Sequence, residues 1–207
     1  IDNGGFNNKI ATPDLDKPAV IESHKKFGHN NQTVSQGNHP EGSYKVKWLG
    51  KYYFFGALMR NSTRTLTENT TTKSTDYFIL STLQAIALYG YDINYVITST
   101  PFSRYSEEEI ALITDRLIGD HEIEINDDTY QFSIADVMVV AEAQIASFLH
   151  KPDGVHRWLD LGSRTIGYAS TYGDSSQEYF TLLESEDPDF SFSGTIEKGG
   201  VHARKLL

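Results

Sequence analysis

Two short acidic turns carry the residues best suited to chemistry. In Trp158-Leu159-Asp160-Leu161-Gly162-Ser163-Arg164-Thr165-Ile166-Gly167-Tyr168-Ala169 an apolar strand delivers a carboxylate into a tight turn and runs straight back, giving a hairpin with a charged tip. Gly162 leaves no side chain over the turn amides, so their N–H groups can face an anion such as phosphate. Asp160, at the mouth of the turn, can hold a cation beside that anion. The same pattern opens the chain in Ile1-Asp2-Asn3-Gly4-Gly5-Phe6-Asn7-Asn8-Lys9-Ile10-Ala11, now with Lys9 added. One Asp-x-Gly triplet is commonly a plain β-turn. The pair says more, because each copy lies between strand-like runs and one carries Lys9, the other Thr165. Two such hairpins facing each other would clasp a metal-bound polyphosphate.

A third candidate lies in Asp136-Val137-Met138-Val139-Val140-Ala141-Glu142-Ala143-Gln144-Ile145-Ala146-Ser147-Phe148, which reads as a buried strand passing into a helix of small residues with Glu142 in its first turn. A carboxylate there is either a cap and dipole partner or a base that positions water. The residues alone leave both open. Gly199-Gly200 before the helix-like run at 201–207 is a further place where a nucleotide could meet backbone amides. His24, His29 and His39 have a spacing that matches no ligand motif, and they read as solvated loop residues.

The elements that must position these groups follow from local pattern. Ala19-Val20-Ile21 adds a strand to the opening hairpin, and residues 28–40, polar and rich in turn formers, read as a loop. Tyr44 to Trp48 and Tyr52 to Gly56, either side of Leu49-Gly50, form an aromatic hairpin whose rings serve sheet packing. Residues 61–72 have loop composition; Asn31, Asn61 and Asn69 stand in glycosylation sequons that chance explains. Ile79, Leu83, Ile86 and Ala87 mark the buried stripe of a helix from Asp76 to Leu88. A buried strand ends at Ser99-Thr100-Pro101. Ser106 and Glu109 then form a capping box for a helix with Ile110, Ile113, Leu117 and Ile118 on its inner face. Residues 123–134 form a hairpin through Asn126-Asp127-Asp128, whose carboxylates, like Glu107 to Glu109, read as solvated surface. Thr171 to Ser176 turns the chain, and Tyr179 to Leu183 and Phe190 to Ile196 read as further strands.

Composition bounds these readings. The 207 residues are 39% hydrophobic and 22% charged, with net charge −10 and no cysteine. Broad binding to nucleic-acid phosphates needs a concentrated basic surface, so the acidic balance argues against it. Thiolate metal sites and disulfides are impossible, which favours an intracellular setting. No apolar run approaches membrane-spanning length. The chain starts at Ile1 inside a strand and ends in an unfinished helix, so further segments are expected at both ends.

The order of parts resembles the actin-like ATPases, and most of all the ParM group of plasmid-segregation actins. The residues that carry the likeness are Asp2-x-Gly4 with Lys9, the Tyr52-Tyr53-Phe54-Phe55-Gly56 hairpin, Ser99-Thr100-Pro101, Glu142, and Asp160-x-Gly162 with Thr165. The resemblance implies an α/β fold of the actin and ribonuclease-H-like kind, with two lobes of mixed sheet flanked by helices and nucleotide in the cleft. Residues 1–148 would form the first lobe with its hinge helix, and 149–207 the start of an incomplete second. It implies ATP or GTP with Mg²⁺ as cofactors, with Asp2 and Asp160 orienting the waters around the metal. The amides of Gly4, Gly5, Phe6, Asn7 and Asn8 with Lys9, and the Gly162, Ser163, Arg164, Thr165 turn, would hold phosphates. Glu142 would position the attacking water. Ser163-Arg164 departs from the two adjacent glycines usual at that turn, and Phe6-Asn7 stands where a small hydroxyl residue is common.

The function so implied is a cytoplasmic, bacterial, plasmid- or phage-encoded ATPase that polymerises into filaments for DNA segregation. It would bind copies of itself and a DNA-binding adaptor protein, with neither direct nucleic-acid nor membrane contact; residues 28–42 are a candidate subunit contact. Two alternatives share the scaffold: a small-molecule kinase, and a nucleotide-dependent scaffold in which Ser163-Arg164 has abolished hydrolysis.

Overall fold

The computed structural model describes residues 1–4, 7–22, 26–29, 41–57, 66–67, 72–143, 153–162, 166–173, 181–182 and 194–196. The chain divides into two compact units, Ile1–Thr98 with Ala111–Met138, and Ser99–Ile110 with Val139–Leu207. The first unit begins with a small antiparallel sheet in the order β1 (Asp2–Asn3), β2 (Asn7–Ile10), β3 (Ala19–Glu22). The remaining elements up to residue 141 are β4 (Lys26–His29), β5 (Ser43–Trp48), β6 (Lys51–Gly56), β7 (Leu66–Thr67), α1 (Asp76–Tyr89), β8 (Ile93–Thr100), α2 (Glu107–Leu117), β9 (Gly119–Ile125) and β10 (Asp128–Ala141). Their strands form a seven-stranded sheet ordered β7-β4-β6-β5-β9-β10-β8. In the second unit β11 (Gly154–Leu161) pairs with β12 (Ile166–Gly173), which also pairs β13 (Thr181–Leu182) and β14 (Gly194–Ile196).

Turn chemistry sets the hairpins. Leu49 and Gly50 both take positive φ (48° and 74°), as do Asn126 and Asp127 (52° and 76°), the geometry whose twist matches two antiparallel strands. Asn126 fixes its own turn to the neighbouring strand: its Oδ1 accepts from the Lys45 amide at 2.8 Å and its Nδ2 donates to Ser43 O at 3.1 Å. Lys45 Nζ closes the same corner on Asp127 at 2.6 Å.

Helix α1 is the centre of the first unit. Residues Tyr77 through Ile86 are all buried, because β1, β2 and β9 pack around the helix. The expected inward stripe of Ile79, Leu83 and Ile86 is buried, and the enclosure extends round the helix to the polar Ser81, Thr82 and Gln84. Phe55, Tyr77 and Phe78 stack along it, with centroids 6.0 and 5.0 Å apart, so the aromatic hairpin does serve packing. Arg116 of α2 bonds Ser74 O and Asp76 Oδ1 (the latter 2.6 Å) and lies 5.9 Å over the Trp48 ring.

Several further expectations change. Ser106 caps the helix as expected, the Glu109 amide donating to its Oγ at 3.2 Å, but Glu109 is buried rather than solvated. Ile118 is exposed, since the helix ends at Leu117 and the next residues turn into β9. Gly28 and His29 are not loop but the end of β4, paired with Phe54 and Tyr53. Leu66–Thr67 forms a short strand on β4 inside the segment expected to be loop. Thr171 to Gly173 continue β12 instead of turning. The helix expected to hold Glu142 in its first turn does not begin there: Glu142 and Ala143 form a turn, with Ala143 at φ 68°. Residues 144–148, the expected helix at 201–207, Gly199-Gly200 and the loop at 30–40 lie outside the described residues. Among the described residues no helix is long and apolar enough to cross a membrane.

Candidate functional site

In the first unit the opening hairpin forms as expected, with Asp2 opposite Lys9 and Asn3 opposite Asn8. Side chains alternate across a strand, so Asp2, Asn7 and Lys9 face solvent while Asn3, Asn8 and Ile10 face the core. Lys9 Nζ lies 3.2 Å from Asp2 Oδ2, an exposed pair free to exchange partners with an incoming anion and cation. Gly4 is required by space: a Cβ there would stand 2.8 Å from the backbone oxygen of Asn7. Gly5 and Phe6 lie outside the described residues.

The inward side chains are the part that sequence reasoning missed. Asn3 Nδ2 donates to Thr82 Oγ1 at 2.5 Å and to Phe78 O at 3.4 Å, and Asn8 Nδ2 donates to Ser81 O at 2.6 Å. Both asparagines thus tie the hairpin to α1. Lys73, buried, donates to Asn3 O and sits 4.4 Å over the Phe78 ring. Asn8 can offer an anion only its backbone, its side chain being committed to the helix. The signal was available in the two-residue period, which puts positions 3, 8 and 10 on one face.

In the second unit Asp160 pairs with Gly167 across the hairpin, and Gly162 follows the last residue of β11. Ser163, Arg164 and Thr165 lie outside the described residues. Glu142 stands in a turn directly after β10, its amide donating to Thr100 O at 2.9 Å. Ala143 beside it takes φ 68°, a left-handed conformation uncommon for a residue with a Cβ and often found where function fixes the backbone. Gly167 shows how close these pieces come. A Cβ built there would lie 3.5 Å from Ala143 Cβ, 3.6 Å from Asp160 Cβ and 3.8 Å from the Glu142 carbonyl carbon. Glu142 and Asp160, eighteen positions apart in sequence, therefore belong to one small neighbourhood, with Thr100 at the end of β8 anchoring it.

A sequence-family model described as "Actin like proteins N terminal domain" matches residues 1–144. The chain belongs to the actin-like proteins. Solved structures agree on the fold of this actin-like chain. An AlfA filament bound to AMPPNP superposes with TM-score 0.65 at 16% identity, covering 97% of this chain and 69% of AlfA. The apo psk41 ParM protein gives 0.68 at 18%, covering 99% and 67%, and the archaeal actin homologue Ta0583 in complex with ADP gives 0.69 at 13%, covering 99% and 61%. The actin-like chain thus spans 61–69% of the lengths of these three structures. No curated protein sequence matches it.

Oxygen donors on exposed carboxylates suit Mg²⁺, which keeps most of its waters and takes one or two carboxylates plus phosphate oxygens. Asp2, in the first unit, and Asp160, in the second, are each exposed carboxylates. Among the described residues no cluster of three or more His, Cys, Asp or Glu could hold a metal by protein ligands alone.

Proposed function

We propose that this actin-like protein binds and hydrolyses Mg·ATP or Mg·GTP, and that nucleotide controls its assembly into filaments that segregate plasmid or similar DNA through an adaptor protein. Supporting it are the family, the filament form and AMPPNP of the AlfA structure, and the ADP of the archaeal homologue. The observation that carries the catalytic part is the placement of Glu142 beside the Asp160–Gly167 pair.

In this reading the amides from Gly4 to Asn8, with Lys9, hold phosphate oxygens, as does the turn of Gly162, Ser163, Arg164 and Thr165. Asp2 and Asp160 orient water around Mg²⁺, which when bound neutralises phosphate charge. Glu142, held by Thr100, orients the attacking water without forming a covalent bond; phosphoryl transfer asks for placement and charge neutralisation above all. The lobes are assigned as residues 1–148 and 149–207, with the segment after Glu142 as hinge, and a change of nucleotide shifts the population of lobe arrangements that fit a neighbouring subunit. The protein works in the bacterial cytoplasm.

Phosphate release with Mg·ATP, followed together with light scattering and sedimentation, tests the proposal. Glu142→Ala should lower release about a hundredfold while nucleotide still binds, the pattern for an interaction made only in the transition state. Release unchanged in that variant refutes the role of Glu142, and turnover without sedimentable polymer refutes the filament.

A further inference from the structure

Beside the opening turn lies a cation that the phosphate site described above does not include. Lys73 precedes α1 by three residues and is only 8% exposed, its Nζ donating to Asn3 O and standing 4.4 Å over the Phe78 ring. Lysine is almost never enclosed to this degree without fixed partners, because burial costs it both hydration and side-chain freedom. One such partner is the backbone carbonyl at the entrance of the candidate phosphate turn, 70 positions away in sequence.

Asn3 is thereby clamped twice, its side chain on Thr82 and Phe78 O of α1 and its carbonyl on Lys73. The peptide that joins Asn3 to Gly4 is trans and planar, so its C=O and N–H point in opposite directions. A carbonyl fixed on Lys73 therefore fixes the Gly4 N–H, which points away from the enclosed ammonium. On the far side of the turn Gly4 lies so close to Asn7 that a Cβ would stand 2.8 Å from its backbone oxygen, which leaves this peptide little room to swing. The ammonium also polarises the amide it touches: charge drawn toward the carbonyl oxygen leaves the N–H a stronger donor. Lys9 differs in kind. It is exposed, pairs with Asp2 at 3.2 Å, and can follow an anion as it arrives, whereas Lys73 is held in place beforehand.

Taking the nucleotide reading for what occupies the turn, we infer that Lys73 is a positioning residue for phosphate: acting through the Asn3 carbonyl, its enclosed ammonium aims and strengthens the Gly4 N–H that meets a phosphate oxygen. The turn is then set before any ligand binds, and binding need not be preceded by rotation of this peptide. Because the effect reaches only the amide and the oxyanion in front of it, inorganic pyrophosphate with Mg²⁺ is a sufficient probe, and the adenosine part of a nucleotide is not needed.

Backbone amide NMR of the full chain, titrated with Mg²⁺ and pyrophosphate, tests this in the parent and in Lys73→Met and Lys73→Arg. In the parent the Gly4 amide proton should move downfield as pyrophosphate saturates. Lys73→Met should weaken binding about tenfold, the scale of one charge-assisted hydrogen bond, and should cut the Gly4 shift at saturation to about half or less. Its melting temperature should fall by no more than about 2 °C, because an unbranched apolar side chain refills the space over the Phe78 ring and no charge is left buried. Lys73→Arg, which keeps a cation and its N–H donors, should bind within roughly threefold of the parent. Equal affinity and an equal Gly4 shift in Lys73→Met overturn the role of Lys73 and leave the nucleotide reading standing, as does a large loss of melting temperature with binding unchanged. A parent chain that does not bind the probe overturns the phosphate turn itself, and the role of Lys73 with it. If Lys73→Met does not fold, Lys73→Gln takes its place, being uncharged and one bond shorter, and binding by Lys73→Gln equal to that by Lys73→Arg overturns the role of Lys73.

Discussion

Replacing the two inward asparagines of the opening hairpin tests whether α1 holds the candidate phosphate turn in place. Asn3 and Asn8 are 4% and 2% exposed, so neither amide can fall back on bulk water. Asn8→Ala removes one hydrogen bond, to Ser81 O; that carbonyl lies mid-helix and keeps its partner in the next turn, so no orphaned group is left behind. Among the described residues the Oδ1 atoms of Asn3 and Asn8 have no hydrogen-bond partner, and deleting them returns part of the loss. A net cost of about 1–2 kcal/mol per substitution follows, from the one hydrogen bond of Asn8, or the short one and the long 3.4 Å one of Asn3, at roughly 1 kcal/mol for a well-formed bond plus the packing of the deleted atoms. At about 2–4 °C per kcal/mol for a chain of this size, each variant should melt about 2–8 °C lower by circular dichroism. Asn3 and Asn8 face one another and share α1, so the double variant should lose less than the sum of the singles. Asn8→Leu, which refills the space, should recover part of the loss. Binding of a fluorescent nucleotide should weaken in step with stability. Melting temperatures within 1 °C of the parent, or strict additivity, would refute the anchoring argument.

Gly167→Ala should leave phosphate release within about twofold, because its Cβ meets neighbours only at van der Waals distance. Gly167→Val should cost about 1–3 kcal/mol by overpacking against Ala143 and should depress release, read in the same assay. Asn126→Ala removes both side-chain bonds to the neighbouring strand at a positive-φ position, and should cost about 2–3 kcal/mol in urea unfolding. Burial raises the Tyr44 and Tyr53 hydroxyl pKa values above 10.0, with Tyr89 adding to the first, and Asp76 adding to and Arg116 opposing the second. Below pH 10 both states hold these protons; above it the unfolded chain releases them first, so stability should fall as pH rises through the folded values. Tyr44→Phe and Tyr53→Phe should each flatten that alkaline fall, seen by pH-dependent urea unfolding.

Local pattern alone determined a good part of this protein. Turn residues with access to positive φ, flanked by two-residue alternation, were enough to place the hairpins at 49–50 and 126–127, the opening turn and the Asp160 to Gly167 pair. A capping serine with a glutamate three positions on placed α2. The order of Asp2, Lys9, Glu142, Asp160 and Gly162 was enough to name the family. Tertiary structure decided what depends on neighbours distant in the chain. Only packing against β1, β2 and β9 made α1 buried on every side, and only that made the Asn3 and Asn8 side chains anchors rather than ligands. Glu109 reads as a surface charge until the fold encloses it. The approach of Glu142 to Asp160 is set by Thr100 and by the space over Gly167, contacts between segments that no window of sequence contains. Spacing along a chain fixes which face a residue takes, but which face is buried is settled by what folds back onto it.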